Sequence, residues 1–230
     1  MGNKSRTKKE FFTRLTFFML GLLILSLGIT LTIKAKDLGI SPWDVFHYGL
    51  YLQFGLTVGT WSIIAGFSIV FITACITKSF PKMGTYINMI LIGLFIDLFN
   101  WMIPDIHLLW LEIVLLIVGI VFTAIGVGLY VAPDFGAGPR DSVMINLSNQ
   151  TGWKVSHVRS GIELIVFLLG WLLGGPVGLG TVAIVLFLGT VVGYTIPMAK
   201  KLMDFVIRRG EGDENFNQRS LRINHNDRVS

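Results

Sequence analysis

The sequence predicts an all-α membrane protein: a polytopic bundle of six spans plus two short broken or re-entrant helices, arranged as an inverted-topology internal repeat. Three observations carry this. First, 53% of the 230 residues are hydrophobic and only 14% are charged, where soluble domains carry about 25% charged residues. Second, apolar stretches near the ~20 residues needed to cross a hydrocarbon core recur along the chain. Third, Asp37-Leu38-Gly39-Ile40-Ser41-Pro42-Trp43-Asp44 returns as Asp134-Phe135-Gly136-Ala137-Gly138-Pro139-Arg140-Asp141, a D-x-G-x-x-P-x-D pattern at a constant offset (134 − 37 = 97).

The spans are expected at 11–33, 57–77, 84–103, 108–131, 157–174 and 178–198. The first has the basic flank of a signal peptide, but its apolar run is long, and it ends in Lys34-Ala35-Lys36 without a small-x-small cleavage site. An uncleaved span is the better reading. The short helices are expected at 42–53 and 139–150. At ~1.5 Å per residue each reaches only about 18 Å, short of a ~30 Å core. Each therefore enters and returns, lies at the interface, or packs inside the bundle.

The chain divides into a basic cytoplasmic N-terminus at 1–10, a first membrane repeat at 11–105, a second at 106–198, and a polar, largely disordered cytoplasmic tail at 199–230. Lys4, Arg6, Lys8, Lys9 and Arg14 place the N-terminus inside by the positive-inside rule, and Lys200, Lys201, Arg208 and Arg209 do the same for the C-terminal end. Lys34 and Lys36 fall outside, beside Asp37. With three spans per half, the second half is inserted upside down, as in many transporters. Further pairs follow the repeat: Gly21 and Gly28 with Gly119 and Gly126, Gly93 with Gly189, Asp97 with Gly193, and Glu163 with Gly66.

The repeated motif has a mechanical logic. Gly39 and Gly136 permit a turn after a span, Ser41 or Gly138 sits at a helix N-cap, and Pro42 or Pro139 suits the first helical turn. Asp44 and Asp141 then fall at the third helical position, where a carboxylate favours the positive helix end. Capping explains them. So does a second reading, in which broken backbone and carboxylates line a polar path, since non-helical backbone at membrane depth survives only inside protein or beside water. Arg140 is an anchor or ion-pair partner, or a holder of an anionic group.

Two acids lie within spans, where ionisable groups are expensive and default to functional candidates. Asp97 shares a helical face with Gly93 and Asn100, and Glu163 can pair with Arg159 one turn before it. The path candidates are thus Asp97, Glu163, Arg159, Asn100, Asp44, Asp141 and Arg140. Gly21, Gly28, Gly119 and Gly126 are read as close-packing positions. His47 and His157 are read as hydrogen-bonded residues near an interface, with proton relay as the alternative.

The net charge of +5 sits at the ends and in short connections, so no nucleic-acid partner is expected. Cys75 is the single cysteine, the four histidines are scattered, and no nucleophile, zinc or phosphate-loop motif appears. Neither enzymatic chemistry nor a cofactor or metal is expected. The expected partners are the lipid bilayer, a small solute or ion, and a protein partner or a second copy of the chain.

At these motifs the chain resembles the YczE/YitT-type family of bacterial integral membrane proteins, closest to its YczE branch. The resemblance runs from Phe11 to Pro197 and rests on both D-x-G-x-x-P-x-D segments, Gly59-Thr-Trp-Ser62, Gly93-Leu-Phe-Ile-Asp97 and Gly170-Trp-Leu-Leu-Gly-Gly-Pro176. It implies a multi-pass protein of the bacterial cytoplasmic membrane. From the architecture, a small-solute or ion permease is the leading expectation. The alternative is a non-transporting accessory protein that scaffolds a membrane enzyme or secretion partner.

Overall fold

A computed structural model describes residues 8–77, 83–136, 138, 143, 144, 147, 148 and 150–226. Its helices are α1 (Lys8–Lys34), α2 (Pro42–Phe54), α3 (Val58–Thr77), α4 (Met83–Met102), α5 (Leu109–Val131), α6 (Val155–Leu172) and α7 (Leu179–Asn226). A 3-10 turn at Lys36–Leu38 links α1 to α2. The chain is a helical membrane protein. Among the described residues, five helices are long and apolar enough to cross a membrane: α1, α3, α4, α5 and the Leu179–Arg209 part of α7. The remaining expected span is α6, whose 18 residues begin with a polar turn and include Arg159 and Glu163. At ~1.5 Å per residue it reaches about 27 Å, slightly less than a ~30 Å core. Helix α7 continues through the change of composition at Ala199.

The first copy of the motif folds as a capped helix start. Gly39 has φ of 97°, which favours glycine. A side chain there would also meet the backbone of Gly178 and lie 2.6 Å from the Thr181 hydroxyl. Ser41 is the N-cap of α2, Pro42 opens the helix, and the Ser41 hydroxyl accepts the Asp44 backbone N–H at 3.4 Å while donating to the Asp44 carboxylate. The first turns of α2 are buried in protein and its last residues, Tyr51 to Phe54, are exposed. The short helix therefore starts inside the bundle and runs out to its surface. In the second copy, Ala137, Pro139, Arg140 and Asp141 lie outside the described residues.

Helices α1 and α5 form the central seam, and glycine makes it possible. A β-carbon on Gly28 would lie 2.9 Å from the Gly119 carbonyl oxygen, and one on Gly119 would lie 2.9 Å from that of Gly28. Gly21 abuts the Tyr130 backbone and Gly126 the Leu25 backbone in the same way. The two pairs, each spaced two turns apart, are the close-packing positions expected from their spacing. Hydroxyls add to this packing: Ser26 and Thr30 of α1 reach the carbonyls of Ile92 and Ile96 on α4 at 3.4 and 3.5 Å. On the other flank, the Thr195 hydroxyl of α7 donates to the Ala124 carbonyl of α5 at 2.6 Å.

The connections gather at two ends. At one, Gly39 meets Gly178, Gln53 donates to the Leu173 carbonyl at 3.0 Å, and Lys34 pairs with Asp105 at 2.7 Å. At the other, Gly84 packs on Phe135, and Arg14 reaches the Pro133 carbonyl at 3.4 Å. Between them, α3, α4, α6 and α7 expose broad apolar faces, including Phe71, Leu94, Leu98, Leu164, Val182 and Leu186. Such faces suit lipid contact and would not persist in water.

Candidate functional site

The start of α2 brings three candidate side chains into the protein. Trp43, Asp44 and His47 share one face at i, i+1 and i+4, with exposures of 7%, 4% and 1%. His47 Nδ1 lies 3.8 Å from Asp44 Oδ1, and its ring centroid is 6.3 Å from that of Trp43. The local cause is the cap. Ser41 and Pro42 fix the first turn, and the tight Gly39–Gly178 approach ties that turn to the segment before α7. His47, expected near an interface, is buried instead, while on the other side of α2 Gly49 packs against the Gly170 region of α6.

These residues line a cavity of about 560 Å³, within the usual range of solute sites. Ser41, Trp43, Asp44 and His47 border it from the first broken segment, and Asp134, Gly136 and Gly138 border it from the second. Between them the wall is mostly apolar, with Thr32, Ser62, Asn88, Thr123 and Arg159 as its main polar members. Asn88 is 3% exposed, and its Nδ2 has no hydrogen-bond acceptor among the described residues. A buried amide without a partner is costly, and Asn88 is among the residues that line the cavity. The α7 side of the wall includes Gly189, where an added β-carbon would meet nothing within 4 Å.

The path candidates separate on this geometry. Asp44, Arg159, Gly136 and Gly138 line the cavity. Asp97, Asn100 and Glu163 are not among its lining residues. Asp97 has a different environment: its Oδ1 accepts the Gly59 backbone N–H at 2.9 Å and its Oδ2 accepts the Thr57 hydroxyl. It caps the N-terminus of α3 from the neighbouring helix. Glu163 pairs with Arg159 at 2.9 Å across one helical turn. Gly39 and Pro42 shape the turn that positions Asp44.

Two polar residues escape a reading of the sequence alone, Asn88 and Glu112. Asn88 has a legible signal, a lone amide on the Thr85–Asn88–Ile92 face of an apolar helix. Glu112, 2% exposed in the first turn of α5, lies beside Asp37. Near it, the buried Lys34 ammonium donates to Asp105 and holds that carboxyl below its usual range, an effect that outweighs its slight burial. Lys34 is expected beside Asp37; its hydrogen-bonded partner is instead Asp105, in the connection after α4.

A bundle of apolar helices around a partly polar, partly open cavity defines a polytopic integral membrane protein. Residues 12–197 match the model of a family of unknown function, DUF6198, and the chain belongs to that family. It is 45% identical over 202 residues to the uncharacterized membrane protein YczE of Bacillus subtilis (strain 168), covering 88% of this chain and 94% of the relative. An uncharacterized protein of Haemophilus influenzae is 31% identical, covering 82% of this chain and 85% of that protein. The uncharacterized protein YyaS of Bacillus subtilis is 27% identical, covering 84% of this chain and 98% of that one. No solved structure matches.

Proposed function

We propose that the protein is a small-solute permease of the bacterial cytoplasmic membrane and that its substrate site is the cavity between the two broken segments. The observation that carries this is the lining itself. Residues of both copies of the repeated motif border one cavity, with Asp44, His47 and Asn88 buried on its wall. Transporters built from repeats bind their substrates at such breaks.

The architecture in this reading is six spans, with α6 as the shortest, and both termini in the cytoplasm. An inverted repeat is supported by the packing. The α1–α5 seam pairs each half's first helix with the other's through Gly28 and Gly119. The α1–α4 contact in the first half has its counterpart in the α5–α7 contact of the second. The role is binding and passage, with no covalent chemistry assigned to any side chain. The direct test is a solute panel screened by thermal shift on detergent-purified protein, since a ligand that binds the folded state raises its apparent stability. Hits are then tested for uptake into proteoliposomes. At least one solute should both stabilise and accumulate; stabilisation without accumulation of any hit would sink the reading.

A further inference from the structure

We propose that His47 and Asp44 form a proton-binding site on the cavity wall, with His47 taking up the proton and Asp44 supplying its counter-charge. The site goes beyond the permease reading and stands on the geometry of α2. The two residues lie at i and i+3, and both line the cavity. Asp44 is 4% exposed and His47 1%, and His47 Nδ1 is 3.8 Å from Asp44 Oδ1. That is ion-pair distance once the imidazole carries a proton. Histidine is the side chain whose charge ordinarily changes in the physiological range, and an opposite charge within about 4–6 Å favours the charged form. A proton needs no ligand-sized space. Contact with the cavity is enough, and burial that keeps out a solute does not keep out a proton.

Burial by itself opposes a charged imidazole, and two features of the site offset it. The Asp44 carboxylate is fixed beside His47 by the Ser41 hydroxyl, which donates to it, and by its place in the first turn of α2. The rings of Trp43 and Phe46 flank His47 with centroids 6.3 and 6.0 Å away, close to the ~6 Å range in which an aromatic face attracts a cation. The other titratable groups around α2 are engaged or set apart. Tyr48, on α2 itself, has Lys36 over its ring at 5.7 Å. Helix α3 carries one titratable residue, the exposed Cys75 near its far end. On α6, Arg159 pairs with Glu163 at 2.9 Å, and His157 is exposed. Asp134 and Tyr130 border the cavity from the end of α5. Among the described residues, Asp44 is the carboxylate at ion-pair distance from His47. Proton uptake there adds a positive charge to the wall. A charged occupant of the cavity and the proton are then linked, each changing the affinity for the other by the same factor.

The test uses the full chain in detergent with 13C-labelled histidines and follows the ring resonances of His47, His107, His157 and His225 against pH. His47→Gln removes one curve and so assigns it. The His47 resonance should show uptake of one proton between about pH 5 and 9. In Asp44→Asn its midpoint should fall by at least about one pH unit, the loss of a nearby opposite charge. A His47 resonance that does not titrate across that range marks a histidine that only packs, and overturns the proposal. An unchanged midpoint in folded Asp44→Asn overturns it too. If Asp44→Asn fails to fold, the wild-type curve still decides whether His47 binds a proton. Titration of His47 in a protein that takes up no solute of the panel upholds the proton site and defeats the permease reading alone. Uptake by a protein whose His47 is silent does the reverse.

Discussion

Asp97 Oδ1 accepts the backbone N–H of Gly59 at 2.9 Å, joining the last turns of α4 to the first turn of α3. The contact is possible because the helices cross at Gly59 and Gly93, where a β-carbon on Gly93 would lie 2.6 Å from the Gly59 carbonyl oxygen. An acid in a span thus serves as an N-cap supplied from the adjacent helix. Its value follows from the helix end it satisfies. Asp97→Asn keeps an acceptor for the Gly59 N–H and should keep both fold and uptake. Asp97→Ala removes it and should lower stability by about 1–2 kcal/mol, the usual scale of a lost cap. Melting of the two variants in one detergent checks this.

The α1–α5 seam predicts a sharper loss. Gly28→Ala or Gly119→Ala places a methyl 2.9 Å from a carbonyl oxygen of the opposing helix, and neither backbone can yield without opening the seam. Each should cost about 1–3 kcal/mol, the range for overpacking. The double variant should cost less than the sum, because one separation of the helices relieves both clashes. A double-mutant cycle on melting temperatures measures this.

Gly93 and Gly189 occupy equivalent repeat positions but different surroundings. Gly93 touches Ile63 and the Gly59 carbonyl, whereas Gly189 faces the cavity with nothing within 4 Å of an added β-carbon. Gly93→Ala should therefore destabilise the protein. Gly189→Ala should be neutral or slightly stabilising, since alanine is the better helix former. Gly189→Leu should leave the fold intact and abolish ligand binding by filling the cavity, read by thermal shift with and without the best ligand of the panel.

The Lys34–Asp105 pair gives a pH signature. Lys34 holds the Asp105 carboxyl below its ordinary 3.8. A depressed carboxyl contributes stability above the unfolded-state value and loses it as pH falls through the folded one. The melting difference between wild type and Asp105→Asn should be constant above pH 3.8 and shrink below it. Its size should be small, because Asp105 is largely exposed to solvent.

What the sequence made legible was local. Ser41 and Pro42 announce the start of α2, Gly39 its turn, and the spacing of Arg159 and Glu163 their ion pair, because each depends on neighbours within one turn. The paired glycines at 21, 28, 119 and 126 were legible as close contacts through their spacing, although which helix meets which was not. The burial of His47, the cap supplied by Asp97 and the unpartnered amide of Asn88 depend on how distant helices cross. A repeat register carries no information about that. Equivalent glycines can therefore end as a packing contact in one half and a cavity wall in the other.

A permease cavity between the two broken segments must be reachable from water on both sides of the membrane. A single cysteine at Ser62→Cys, in a Cys75→Ser background, can be probed with a membrane-impermeant maleimide in intact cells and in inside-out vesicles. A permease predicts labelling in both preparations and protection by a bound ligand. A cysteine that stays unlabelled from both sides, in protein of unchanged melting temperature, would contradict it.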